Sequence, residues 1–264
     1  MRSRFLDPGP PVAFAHRGYS PTGAENSMAA FAAAVALGYE YVETDARVTA
    51  DAVALAFHDD RLDRVTDRTG RLDRLPWEQV ARARIRGTEP IPRLDDLLGE
   101  WPSLRVNIDV KSGRALTAAL DAIRRTQAQD RVCLAAFSDA RMRRIRNLVG
   151  PQVCTALGPG EVGLLFAASR SGRRLGPALA RRLRGRAAQV PPRLAQRPLV
   201  TTALLDTAHQ AGLAVHVWTV DEPTDMNALL DLGVDGIMTD RAETLRDVLT
   251  ARGAWRRGPG RPAD

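Results

Sequence analysis

Short apolar runs alternate with longer segments of helical character along the whole chain, about eight of each, and no feature constrains the fold more. VAFAH (12–16), YVETDARV (41–48), RVNIDVK (105–111) and RVCLAAF (131–137) read as strands. So do QVCTAL (152–157), AAQVP (187–191), LAVHVWTV (213–220) and DGIMTD (235–240). The stretches between them are long enough for crossover helices, which parallel neighbouring strands require. The pattern predicts an α/β fold, a single (β/α)8 TIM barrel over residues 1–251. The length of 264 residues is close to the ~250 such barrels use. An open doubly wound sheet is the alternative, disfavoured because no G-x-G-x-x-G turn follows the first run. The tail 252–264 is expected to be disordered.

Helix signals fill the gaps. Asn26 or Ser27 is placed to cap a helix over 28–37 that Gly38 ends. Pro76 is placed to open a helix over 77–85, and Asp139 to begin one over 140–150. Residues 161–187 read as helical, with breaks at Gly172 and around Gly176-Pro177.

Polar side chains gather where the predicted strands end. His16 and Arg17 close the first run. Unpaired, they are expensive to bury, so they face water or an anion. Glu43 and Asp45 are two apart on the second run and so share a side of the strand. Two carboxylates aimed into a barrel repel unless a proton or cation intervenes, and a hard divalent ion resolves the conflict. Asp109 and Lys111 repeat the i, i+2 geometry on the third run. Trp218 lies on the seventh, Asp240 near the end of the eighth, and Phe137 and Ser138 end the fourth.

Each has a plainer reading: a surface histidine, an exposed strand face, a salt-bridging lysine, a core tryptophan, a capping aspartate. His209 and His216 have no evident charged company and read as structural. The joint occurrence at five strand ends is what inert packing does not explain. A cation, an Arg and a Lys together suit a phosphate group, whose negative charge grows in a phosphoryl transition state. Two histidines suit a base and an acid near neutral pH. The chemistry indicated is phosphodiester cleavage.

Charge and composition narrow the setting. The net charge of +7 belongs to one segment, since nine Arg and no acid stand between Glu161 and Asp206, and 7 − 9 = −2 for the remainder. That Arg-rich stretch, 170–197, is a solvated helix face or a patch that meets an anionic membrane surface. It has no aromatic residues to stack on bases, and a nucleic-acid partner is not expected. No apolar run reaches the ~18 residues of a membrane span, and no signal peptide is read at the N-terminus. Cys133 and Cys154 fall in apolar runs and are expected to be buried free thiols, which with the missing leader indicates a cytoplasmic protein.

The motifs resemble those of the glycerophosphodiester phosphodiesterases, nearly end to end. AHRGYSPTGAENSMAAF is similar to that family's His-Arg-Gly and its Pro-Glu-Asn-Thr-like turn, with Ser27 in the Thr place. YVETDARVTAD matches its Glu-x-Asp strand, and AFHDDRLDRVTDRTG its His-Asp loop with a Leu-x-Arg-x-Thr continuation. VHVWTVD and GVDGIMTDR match its two closing strands.

The resemblance implies roles. Glu43, Asp45 and Asp109 would bind a divalent ion, Mg²⁺ or Ca²⁺. His16 would be the general base and His58 the general acid. Arg17 and Lys111 would hold the phosphate, and Trp218 would line the substrate pocket. The substrate would be a small glycerophosphodiester, whose glycerol 2-hydroxyl attacks phosphorus to give a cyclic phosphate that water opens to glycerol 3-phosphate. One position departs: Asp109 stands where the family usually has Glu. Aspartate is one methylene shorter, so direct ligation, ligation through water and a weaker site all stay open. A lysophospholipase D or sphingomyelinase D-like lipid phosphodiesterase is the alternative on the same frame, and a binding protein on a retired barrel is a third reading.

Overall fold

The structure is a computed structural model, which describes residues 4–6, 11–171, 175–256 and 258. The eight expected strands form at Val12–His16, Tyr41–Val48, Arg105–Val110, Val132–Ala135, Cys154–Thr155, Ala187–Val190, Ala214–Val217 and Gly236–Thr239. They are called first to eighth in that order. Hydrogen-bonded neighbours run fifth, fourth, third, second, first, eighth, seventh, sixth. The pairs second–third, fourth–fifth, sixth–seventh and seventh–eighth are parallel. A parallel bridge between Ala156 and Ala187 joins the two ends of that order. The sheet is thus a nearly closed barrel of eight strands with helices between them, as the alternation requires.

By compactness the chain divides into Ala15–Val132 with Arg256–Asp264, and Met1–Phe14 with Cys133–Trp255. In the first unit, Ser27 caps the helix Met28–Leu37 by accepting from the Ala30 N–H at 3.1 Å, and Gly38 ends it at φ +96°. The second strand continues into an antiparallel partner, Ala54–Ala56. The excursion beyond it buries its own apolar cluster, including Leu55, Phe57, Leu62, Leu72 and Ile85. Each such side chain contributes about 1.5–3 kcal/mol on burial.

The helix expected over 77–85 stops early, at Trp77–Val80. Pro76 does open it, and the Asp51 carboxylate accepts the Trp77 N–H at 2.9 Å. The Arg84 N–H instead donates to Asp67 at 2.7 Å, and Arg84–Ile85 pairs with Glu89–Pro90 as a hairpin. Burial of Ile85 in the cluster outweighs the local helical preference.

In the second unit, a cluster including Val190, Leu204, Val215, Val217, Met226, Ile237 and Leu245 forms the core. The stretch 161–187 resolves into Pro159–Ser169 and Leu175–Ala180. Gly172 lies outside the described residues, as do Arg173 and Arg174 of the Arg-rich segment. The break expected around Gly176-Pro177 is absent, because Pro177 falls in the first turn, where a missing N–H costs nothing. An exposed hairpin of Arg193–Leu194 with Arg197–Pro198 follows the sixth strand, which the sequence does not announce. Cys133 and Cys154 are buried free thiols, opposite one another on the fourth and fifth strands. Most of the tail expected to be disordered, 257 and 259–264, lies outside the described residues, while Ala254 and Trp255 pack against the core cluster. Among the described residues, no helix is long and apolar enough to cross a membrane.

Candidate active site

The site residues of the first unit come from the ends of its three barrel strands and two loops. Glu43 and Asp45 alternate with Thr44 on the second strand and are 5% and 1% exposed. Parallel register sets Asp109 beside Asp45 and Asn107 beside Glu43. Lys111 follows the third strand, and its ammonium stands 2.7 Å from Asp45 Oδ1 and 2.6 Å from Asp109 Oδ2. Three buried carboxylates and one ammonium therefore share a small volume.

His16 ends the first strand with Nε2 3.6 Å from Glu43 Oε2. Arg17 turns the chain at φ +55°, donating its backbone N–H to the Glu43 carbonyl at 3.0 Å. Gly18, at φ +82°, would place any Cβ 2.7 Å from the Ala30 backbone, so the His-Arg-Gly corner demands glycine there. The loop returns at Asn26, φ +57°, whose N–H donates to the Arg17 carbonyl at 2.9 Å. The Asn26 amide donates to Asp45 Oδ2 at 3.2 Å and accepts from Thr44 at 2.7 Å. The Arg17 guanidinium donates to Glu25 at 2.9 Å, and its Nε is 3.2 Å from Asp45 Oδ2, close enough to pair but poorly aligned to donate.

His58 follows the short strand Ala54–Ala56, held by the Phe57 N–H to the Asp45 carbonyl at 2.9 Å and by Arg47 Nε to its own carbonyl at 2.8 Å. Its Nδ1 lies 2.6 Å from Asp59 Oδ1. His16, Arg17, Glu43, Asp45, His58, Asp109 and Lys111 thus fall in one network. Trp218 belongs to the second unit, half-buried, with its ring edge-on to exposed Phe137 at 5.6 Å. His216 is buried there against Phe14, its ring centroid at 4.9 Å, and burial pushes it down to about 4. His209 does find an acid, Asp235 at 2.7 Å, the residue that precedes the eighth strand.

Burial, reinforced by the Asp45 charge, pushes the Glu43 carboxyl up to about 8. Burial acts the same way on Asp45, but Lys111 and Arg17 outweigh it and hold that carboxyl below its ordinary value. Burial disfavours the Lys111 ammonium, yet Asp45 and Asp109 raise its pKa above the usual lysine value. Asp59 resists burial too, and Arg64 and His58 take it to about 2. Glu43 is thus shifted toward its neutral form, and Asp45 and Asp59 toward their ionised forms.

Glu43, Asp45 and Asp109 are the residues able to hold a divalent ion. Glu43 Oε2 is buried and accepts no hydrogen bond, and a cation would satisfy such an oxygen. An all-oxygen donor set suits a hard ion. Among the described residues, no three His, Cys, Asp or Glu side chains already stand in a ligand arrangement. Asp45 and Asp109 instead close on the Lys111 ammonium.

Sequence reasoning did not single out Glu25, Asn26, Asp59, Arg47 or Arg64 as site residues. All five sit inside the matched motifs, Arg64 as the arginine of the Leu-x-Arg-x-Thr continuation, and an acid directly after His58 was a usable signal.

The chain matches the model of the glycerophosphoryl diester phosphodiesterase family over residues 16–244. It is 43% identical over 254 residues to a probable glycerophosphodiester phosphodiesterase 2 of Mycobacterium tuberculosis, covering 95% of each chain. Its fold is similar to a crystal structure of a glycerophosphoryl diester phosphodiesterase, so described provisionally, from Silicibacter pomeroyi. The TM-score is 0.78 at 22% identity, over 96% of this chain and 98% of that one. It is also similar to an Oleispira antarctica phosphodiesterase in complex with the product sn-glycerol-3-phosphate. There the TM-score is 0.75 at 18% identity, over 91% of this chain and 97% of that one. With its His-Arg-Gly corner, Glu-x-Asp strand and His-Asp loop on one frame, the chain is an enzyme of the glycerophosphoryl diester phosphodiesterase family.

Proposed function

We propose that the enzyme hydrolyses a glycerophosphodiester to glycerol 3-phosphate and an alcohol in a metal-dependent reaction. His16 serves as general base and His58 as general acid. The observation that carries the reading is the convergence of His16, Arg17, Glu43, Asp45 and Lys111 at adjacent strand ends. A divalent ion, Mg²⁺ or Ca²⁺, held by Glu43, Asp45 and Asp109, supplies Lewis-acid stabilisation of developing oxyanion charge.

His16 takes the proton of the glycerol 2-hydroxyl as that oxygen bonds to phosphorus. Arg17 and Lys111 bind the phosphate oxygens, and their charge favours the transition state over the ground state. The bond to the leaving alcohol breaks, and His58 gives its proton to that alkoxide. With Nδ1 held at Asp59, the imidazole presents Nε2 to the leaving group. Water then opens the cyclic phosphate, with the two imidazoles exchanging roles. The family resemblance gives Trp218, whose ring is edge-on to Phe137, the role of contacting the alcohol portion.

A second reading, a lysophospholipase D-type substrate taken from a membrane surface, draws on one observation. The hairpin after the sixth strand exposes Leu194, 66% accessible, between Arg193 and Arg197, a combination suited to an anionic lipid interface. The free Cys133 and Cys154 thiols support a reducing, cytoplasmic setting.

The test is a panel of glycerophosphodiesters and lysophospholipids, assayed with and without EDTA and with Mg²⁺ or Ca²⁺ restored. Chelator-sensitive release of glycerol 3-phosphate from glycerophosphodiesters is the expected result. Full activity in EDTA would remove the metal from the account, and cleavage confined to lysolipids would favour the second reading.

A further inference from the structure

Arg64 lies in the loop beyond His58 and makes four hydrogen bonds with one guanidinium. Its Nε and Nη2 donate to Asp59 Oδ2 and Oδ1 at 2.6 and 3.1 Å. Its Nη2 and Nη1 donate to Glu25 Oε1 and Oε2 at 2.7 and 3.2 Å. Each carboxylate also touches a residue assigned to the chemistry. Glu25 accepts from Arg17 at 2.9 Å, and Asp59 pairs with His58 Nδ1 at 2.6 Å. The Arg64 side chain is 48% exposed, so its ion pairs add little to stability. Their geometric consequence is larger, because a planar fork fixes the orientation of each carboxylate it grips at both oxygens.

We propose that Arg64 is a positioning residue, whose guanidinium, through Glu25 and Asp59, sets the Arg17 guanidinium and the His58 imidazole in register. The inference rests on the roles given to Arg17 and His58 above, but no part of that reading requires Arg64. Through Asp59 it fixes the ring of His58 with Nδ1 on the Asp59 carboxylate. Through Glu25 it fixes where Arg17 stands between Glu25 and Asp45. One side chain therefore governs both a binding group and a proton-transfer group. A lysine cannot replace it, because a single ammonium lacks the fork that serves two carboxylates at once.

Steady-state kinetics on glycerophosphocholine with Arg64→Ala, Arg64→Lys, Asp59→Asn, Arg64→Ala/Asp59→Asn and His58→Ala tests this, alongside thermal melting of each. Arg64→Ala should raise KM and lower kcat, each by about tenfold, with its melting temperature near wild type. Arg64→Lys should recover only part of either loss. In the Asp59→Asn background, Arg64→Ala should add little further loss in kcat, since the same arm is already cut. Wild-type kcat and KM in Arg64→Ala, beside an inactive His58→Ala, would overturn the inference and leave the catalytic reading standing. Additive kcat losses, or full recovery with lysine, would also overturn it. Wild-type turnover in His58→Ala would overturn the catalytic reading first, and this inference with it.

Discussion

The Lys111 ammonium stands 2.6 Å from Asp109 Oδ2, two residues back along the same strand, and pairs at the same time with Asp45 on the neighbouring strand. Two buried carboxylates thereby share one internal cation, at the place where the proposed function puts a divalent ion.

Lys111→Met should separate those roles. Without the ammonium, Asp45 and Asp109 are left unpaired, and breaking a buried pair costs about 3 kcal/mol. Thermal melting of the EDTA-treated variant should fall well below EDTA-treated wild type. Added Ca²⁺ should recover more stability in the variant than in wild type. Turnover should stay low with saturating metal, because the phosphate has lost a ligand. No difference in melting would contradict the shared-cation arrangement.

Asp109→Glu should tighten divalent-ion binding. The extra methylene lengthens the reach of the carboxylate at the position proposed to help hold the ion. Calorimetric titration of the metal-free protein should show Kd reduced by about tenfold. An unchanged Kd would mean that residue 109 is no ligand.

Stability should depend on pH through Glu43. Its folded-state pKa is raised from 4.5 to about 8, so the fold favours the neutral acid. The stability that neutral form contributes is fully present below the ordinary carboxylate range and is lost as pH rises toward 8. Urea midpoints of the EDTA-treated protein should therefore fall between pH 5 and 8. Glu43→Gln should lack that part of the slope, and equal slopes would contradict a neutral buried Glu43.

The two imidazoles should differ from their supports in size of effect. His16→Ala and His58→Ala should each lower kcat by about 10²–10⁴-fold, as loss of a general acid or base does. Asp59→Asn should cost less, about tenfold, because it only orients and charges the His58 ring. The order of these losses in kcat is the check.

Much of this was legible in the sequence where one physical rule acts locally. The period of two puts Glu43 and Asp45 on one side of a strand, and the second and third strands, once neighbours, bring Asp109 and Lys111 to them. Ser27 and Gly38 bracket their helix as capping chemistry dictates. What escaped depends on distant encounters. Arg64 meets Glu25 across 39 positions, and no local pattern announces that pairing. The helix over 77–85 fails because Ile85 is buried in a cluster with residues distant in sequence, while Asp67, far back in the loop, takes the Arg84 N–H. The Arg193–Leu194 hairpin is too short for periodicity to register.

The most direct test is release of glycerol 3-phosphate from glycerophosphocholine by the purified, metal-supplemented enzyme and by His16→Ala. Steady release by the wild type and loss of at least about a hundredfold in the variant is the expected outcome. Equal release by both would contradict a reaction run from the imidazole that ends the first strand.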